Sequence, residues 1–273
     1  MKKIIVPFEG GAFRTELLEF VKDLNCRSKV FLTAAFVPEV DYAQLWTPSA
    51  TVESDMYLPA AVDEDKLIAR NSTKLSRFCE THSIGLRIHE DRFDFALAAI
   101  KKETRFADLL LLSSRHFFEV IDESQPNAYM TRILHESECP VMLLPEEPRM
   151  PGEIVLAYDG TSASVYAIRQ FAYLFPEFAN IRTTLIYVDP KGKGEIPDHD
   201  SVRELGRLHF RNFRMLRLSM CTDTFYDTWI GLTTNPWLVA GAFGRSDWSR
   251  LLCHSFISRM IREHNVPIFL AHP

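Results

Sequence analysis

The residues best suited to chemistry lie in the last third of the chain, where Gly241, Gly244, Arg245 and Ser246 are followed, with nine residues between Gly244 and His254, by His254 and Ser255. Glycines lack the Cβ that would hold a ligand away from the backbone, so their N–H groups can approach anionic oxygens. The start of a following helix near His254 and Ser255 adds unpaired N–H donors and the positive end of a helix dipole. Arg245 can neutralise phosphate charge and Ser255 can donate a hydroxyl. The chemistry this pattern offers is phosphate binding. An acid and a glycine, Asp159 and Gly160, close the apolar run that begins at Glu153 and supply a second candidate group.

Other constellations are weaker. Ser255, His254 and Asp159 resemble a hydrolase set only on paper, because neighbours at a helix start diverge by ~100° and cannot face each other. No Gly-x-Ser-x-Gly elbow is present. The five cysteines, Cys26, Cys79, Cys139, Cys221 and Cys253, are scattered with no Cys-x-x-Cys pair, which reads as reduced, mostly buried thiols. His199 and His209 flank an expected helix beside Asp198 and Asp200, a spacing poor for metal ligation and better suited to a solvated surface. His82 and His89 bracket a short strand and read as surface or capping groups. Arg203, Arg207, Arg211 and Arg214 are spaced as a basic stripe along one helix face, balanced by neighbouring acids. Most of the 20 phenylalanines are expected in the core, with Phe243, inside the glycine loop, as the exception.

The elements that must position these groups follow from an internal repeat. Lys3–Gly10 (KIIVPFEG) recurs in type at Glu153–Gly160 (EIVLAYDG), Val30–Val37 at Thr184–Val188, and Cys139–Pro145 at Val266–Leu270. Three matches in one order imply duplication. Between the copies lies Pro145–Gly152, whose prolines suit a linker, which gives domains at 1–147 and 151–273. In each copy short apolar runs alternate with amphipathic ones, the pattern of βα units. Strands are expected near 3–8, 29–36, 85–89, 107–113 and 139–144, then near 153–158, 182–188, 213–219, 236–241 and 266–271. Helices are expected near 12–24, 63–82, 93–104 and 127–136, then near 162–174, 199–211, 223–232 and 255–264. The fold class is α/β, two Rossmann-like domains, each a five-stranded parallel doubly wound sheet of order 3-2-1-4-5. Ligands of such sheets bind at the carboxyl ends of strands 1 and 4, where the order reverses. Asp159–Gly160 and Gly241–Gly244 fall there. The first copy carries an extra stretch, Pro38–Val62, containing Trp46, Met56 and Tyr57, which reads as a surface excursion.

Gly241-x2-Gly244-x9-His254-Ser255 resembles the Gly-x2-Gly-x9-Gly-Ser/Thr signature of the nucleotide-binding universal stress proteins. Asp159–Gly160 matches that family's first acidic turn and Val266-Pro267-Ile268 its last strand, so the resemblance spans most of the second copy. The whole chain resembles a tandem universal stress protein, each half sharing the fold of the adenine nucleotide alpha hydrolase-like group. The resemblance implies ATP or another adenine nucleotide as ligand, with Mg²⁺ as a companion. It places adenine near Val188, Asp159 near the ribose or metal, and phosphates on the glycine loop. There are two departures. His254 stands where the signature has its third glycine, and the first copy has no glycine between Gly85 and Gly152 and carries Glu9 in place of the aspartate. The first phosphate site is therefore expected to be absent.

Composition narrows the class. Over 273 residues the net charge is -5 and 47% of residues are hydrophobic, which excludes a disordered chain and disfavours a broad nucleic-acid surface. No apolar run nears the ~20 residues of a membrane span, and Glu9 stops the first one too early for a signal peptide. A cytoplasmic protein without a membrane partner is expected. The last strands, Val141–Leu144 and Ile268–Leu270, would be apolar edges in separate domains and are expected to pair within the chain, making a pseudo-dimer; homodimerisation is left open. The leading function is a stress-response protein that binds adenine nucleotide in its second half, non-catalytic or weakly ATP-hydrolysing. The alternative is a scaffold whose nucleotide sites have decayed.

Overall fold

The computed structural model describes residues 1–9, 15–37, 58–90, 96–113, 133–189, 194–218, 233–241 and 266–273. The chain forms two compact units, Met1–Leu110 with Arg132–Glu138, and Leu111–Thr131 with Cys139–Pro273. Compactness thus groups Cys139–Leu144 with the second copy of the repeat.

The first unit alternates β1 (Lys2–Glu9), α1 (Thr15–Arg27), β2 (Val30–Val37), α2 (Leu58–Thr81), β3 (Gly85–Glu90), α3 (Ala96–Thr104) and β4 (Leu109–Ser113), the last strand continuing past its end. Its strands run parallel in the order β3-β2-β1-β4. All five residues of β4 are buried, as a strand without polar alternation requires. Asn25 accepts from the Val30 N–H at 3.0 Å and donates to the His82 carbonyl at 3.1 Å, so one buried amide ties the α1–β2 turn to the end of α2. α2 begins at Leu58, so the end of the Pro38–Val62 excursion is helical; Trp46, Met56 and Tyr57 lie outside the described residues.

The second unit holds β5 (Val141–Leu144), β6 (Glu153–Tyr158), α4 (Ser162–Leu174), β7 (Arg182–Val188), α5 (His199–His209), β8 (Asn212–Leu218), β9 (Pro236–Gly241) and β10 (Ile268–Ala271). Strand order is β5-β10-β9-β6-β7-β8. All neighbours are parallel except β5 on β10, where Ile268 faces Leu143 and Leu270 faces Val141 in antiparallel register. The expected order 3-2-1-4-5 appears as β3-β2-β1-β4-β5 and again as β8-β7-β6-β9-β10. The two apolar last strands pair with each other, which leaves neither as an open edge. Of the remaining expected helices, residues 133–136 are helical, while 223–232 and 255–264 lie outside the described residues.

α4 buries Ser164, Ala167, Ile168, Phe171 and Ala172, the one-sided spacing of an amphipathic helix. Phe171 seats that face in an aromatic cluster. Its ring centroid is 5.1 Å from Phe175, 6.5 Å from Trp237 and 5.3 Å from Phe269, the latter two edge-on. The Trp237 indole N–H donates to the Arg149 carbonyl at 2.8 Å, and the Gly152 N–H donates to the Asn235 carbonyl at 3.0 Å, so the proline-rich linker is tied to β9.

The basic stripe is not formed. α5 ends at His209, and Phe210 leaves it in an extended conformation to become buried. Arg211 therefore sits in a turn and Arg214 on β8. Burying Phe210 outweighs continuing the helix. Arg214 instead donates to Thr184 Oγ1 at 2.7 Å and to the buried Glu153 carboxylate at 3.0 Å, while Arg203 pairs with Asp200 on the surface. His199 meets Asp200 at 3.2 Å and is half exposed, and His89 faces Glu103 at 3.4 Å.

Phe171→Ala should cost about 3–5 kcal/mol in equilibrium urea unfolding, the penalty of an aromatic cavity in a packed core. Truncating the exposed Tyr173 on the same helix should cost no more than about 0.5 kcal/mol.

Candidate functional site

The carboxyl ends of β7, β6 and β9 stand side by side. Tyr158 pairs with Tyr187, which sets Val188 level with Asp159; Leu156 pairs with Val239, which sets Gly241 level with Tyr158. Three expected site positions thus lie along one rim, at the place where strand order reverses between β6 and β9. Gly160 adjoins them. Gly244, Arg245, His254, Ser255 and Phe243 lie outside the described residues, as does the corresponding segment of the first copy from Arg115 to Glu119.

The rim is built around the first turn of α4. Asp159 accepts from the Thr161 N–H at 2.9 Å and from its hydroxyl at 2.7 Å. Thr161 is the N-cap, and its Oγ1 accepts from the Ser164 N–H at 3.3 Å. A Cβ on Gly241 would lie 2.6 Å from both the Ala163 carbonyl carbon and the Ser164 nitrogen. The chain order Asp159, Thr161, Ser164, Gly241 is therefore also a chain of contacts. Sequence reasoning assigned Gly241 to backbone approach by a ligand; the close packing of α4 requires glycine there on its own account. Gly160 has φ +84, a left-handed conformation that favours glycine.

Sequence reasoning missed the segment on the other side of this turn. The Tyr158 hydroxyl donates to the Pro197 carbonyl at 2.9 Å, and the Pro197 ring lies over Gly160, 3.0 Å from where a Cβ would sit. Asp189, buried at the end of β7, accepts from the Gly194 N–H, and Arg217 of β8 donates to the Gly194 carbonyl. The Pro197-Asp198 pair before a helix is a turn signal that could have drawn attention to it. Burial, then the nearby charges of Asp198 and Asp159 and the Tyr187 phenol, push the Tyr158 hydroxyl above its ordinary value. At neutral pH Tyr158 is a neutral donor.

Among the described residues no group of three or more His, Cys, Asp or Glu side chains is arranged to hold a metal ion, and no described helix is long and apolar enough to cross a membrane.

Gly241→Ala should destabilise the protein by about 1–3 kcal/mol in thermal or urea unfolding, because the added methyl meets backbone that cannot yield without moving α4. A raised folded-state value means that Tyr158 favours folding below the ordinary tyrosine range and loses that contribution as pH rises through its folded value. Alkaline spectrophotometric titration should accordingly show a phenol ionising above the ordinary tyrosine range, and Tyr158→Phe should remove that step.

No protein-family model and no curated protein matches the sequence. Solved structures do resemble it. A universal stress protein from Archaeoglobus fulgidus DSM 4304 superposes with a TM-score of 0.70 at 14% identity, covering 99% of this chain and 98% of that one. A functionally unknown protein from Pseudomonas aeruginosa PAO1 gives 0.55 at 12% identity, covering 100% and 93%. The cytoplasmic domain of a prokaryotic cation chloride cotransporter gives 0.53 at 11% identity, covering 98% and 94%. At these identities the likeness establishes the fold: α/β, mostly parallel, of the universal-stress-protein type.

Proposed function

We propose that this protein binds an adenine nucleotide at the carboxyl ends of β6, β7 and β9 and uses occupancy to alter an interaction in a stress response. The observation that carries the reading is the convergence of Asp159, Gly160, Val188 and Gly241 on one rim at the switch point of the sheet, where doubly wound folds bind ligands. The spacing Gly241-x2-Gly244-x9-His254-Ser255 supplies the phosphate side, with Arg245 as counter-charge. Asp159 would meet the ribose or an accompanying Mg²⁺. The chain is read as a tandem arrangement, with the antiparallel β5–β10 pair doing inside one chain what a dimer contact does between two. Any ATP hydrolysis is read as weak, because among the described residues the two acids that follow β6 and β7 are already engaged, Asp159 by Thr161 and Asp189 by the Gly194 N–H.

One observation favours a second reading, a scaffold that binds no nucleotide. Gly241 is closed by α4 and Gly160 by Pro197, so two of the four rim positions face protein.

Calorimetry separates the readings. ATP with Mg²⁺ should bind the wild-type chain, and Gly244→Asp should abolish binding by placing a carboxylate among the phosphates. No heat at millimolar nucleotide would leave the scaffold. Steady phosphate release that Asp159→Ala abolishes would instead make the protein an enzyme.

A further inference from the structure

We propose that Gly194–Asp198 is a strap that occludes the nucleotide crevice and is displaced when ligand binds, a regulation that rests on the reading above. The strap reaches the site from the neighbouring strand ends and lies on the residue that a ligand at the switch point must approach. Pro197 covers the Cα of Gly160, and the adjoining Tyr158 side chain, 3% exposed and carried by the last residue of β6, holds the Pro197 carbonyl. A second clamp lies upstream, where Gly194 is gripped through its N–H by Asp189 and through its carbonyl by Arg217.

The closed position carries strain. Asp198, the last residue of the strap and the N-cap of α5, has φ 46 and ψ 38, a left-handed conformation unfavourable for a residue with a Cβ, and makes no side-chain capping bond. The clamps and this strain oppose each other at adjacent residues, so a modest ligand contribution can tip the strap. Occupancy would then be reported at the start of α5, where strap and helix join, giving the site an outward-facing output.

The geometry gives a sign. If the closed strap competes with ligand, loosening a clamp favours the open state and tightens apparent binding. If the strap instead gripped bound ligand, loosening it would weaken binding.

The test uses the full chain with ATP and Mg²⁺ as probe, comparing wild type, Tyr158→Phe and Arg217→Ala. Each variant removes one clamp and leaves Asp159, Gly160, Val188 and Gly241 in place. Both should bind ATP roughly three- to tenfold more tightly than wild type, the factor expected for a single hydrogen bond. Hydrogen exchange without nucleotide should rise at residues 194–198 in both variants while β6 and β9 stay protected, and ATP added to wild type should raise exchange at the same residues. Equal or weaker ATP binding in the variants overturns the strap and leaves the nucleotide reading standing, as does wild-type binding without change at 194–198. No binding by any of the three overturns both, and is distinguished by the absence of heat in the wild type itself.

Discussion

The arrangement at the carboxyl end of the second unit depends on how closely the first turn of α4 lies against the end of β9. With no side chain at Gly241, the Ala163–Ser164 backbone can occupy the space a Cβ would need. That contact fixes where α4 starts. The start in turn fixes the Thr161 cap, and the cap fixes the Asp159 carboxylate through two hydrogen bonds. Gly160, the link between strand and cap, turns the chain through a conformation with φ +84. The acid, the turn and the strand end are thus positioned by backbone packing, which tolerates little adjustment. The far end of the same helix is held by the aromatic cluster of Phe171, Phe175, Trp237 and Phe269, so α4 is anchored at both ends.

Much of this frame was legible in the sequence. Helix α4 and strands β6, β7 and β9 fall on the expected residues, because hydrophobic period and punctuation agree there: Asp159–Gly160 before the helix, Pro176 after it, Pro236 at the first position of the strand. Of the expected site positions, Asp159, Gly160, Val188 and Gly241 lie at or beside strand ends, since the repeat supplies the order of elements and the order supplies the switch point; Gly244, Arg245, His254 and Ser255 lie outside the described residues. The Arg203–Arg214 stripe failed for a reason that spacing could not reveal. Helical spacing of four arginines says nothing about Phe210 and Phe213, whose packing ends the helix early. Gly206 is the matching feature: a Cβ there would lie 2.2 Å from the Phe213 ring, so helix and following strand are pressed together at a glycine. Likewise Gly241 was legible as a glycine that something must approach closely, but whether ligand or helix does so is a fact of tertiary packing.

The two series of strands share a polar arrangement that composition alone hides. Thr33 pairs with Arg87 across β2 and β3, and Thr184 with Arg214 across β7 and β8. In the second series the arginine is satisfied within the sheet, by Thr184 and the buried carboxylate of Glu153. In the first, the position corresponding to Glu153 is Lys3, and Arg87 turns instead to Glu103 of α3. The Thr33 hydroxyl is then left buried with no hydrogen-bond partner among the described residues. The arginine at corresponding positions of the two series thus finds its acid on a different element in each. The acid stays nearly buried in both, with side-chain exposures of 5% for Glu153 and 11% for Glu103, because an unpaired charge there would be costly.

The rim is consequently asymmetric in its freedom. On the β9 side it is bounded by main-chain packing against α4, where any rearrangement moves a whole helix. On the β7 side it is bounded by Gly194–Asp198, held by a few hydrogen bonds and one proline ring. A hydrogen bond such as Tyr158 to Pro197 contributes about 0.5–1.5 kcal/mol, and a left-handed aspartate such as Asp198 costs about 1–2 kcal/mol at most. Three hydrogen bonds hold the strap against one strained residue, a hold made by a few side chains, whereas opening the β9 side would have to move α4 and with it the core around Phe171. Among the described residues, the change of shape proposed on binding would therefore begin at the strap. The direction of that change follows from attachment: Asp198 leads directly into α5, whose far end is pinned by Gly206 on Phe213, so displacement of the strap acts on the first turn of α5 and leaves its last turn in place.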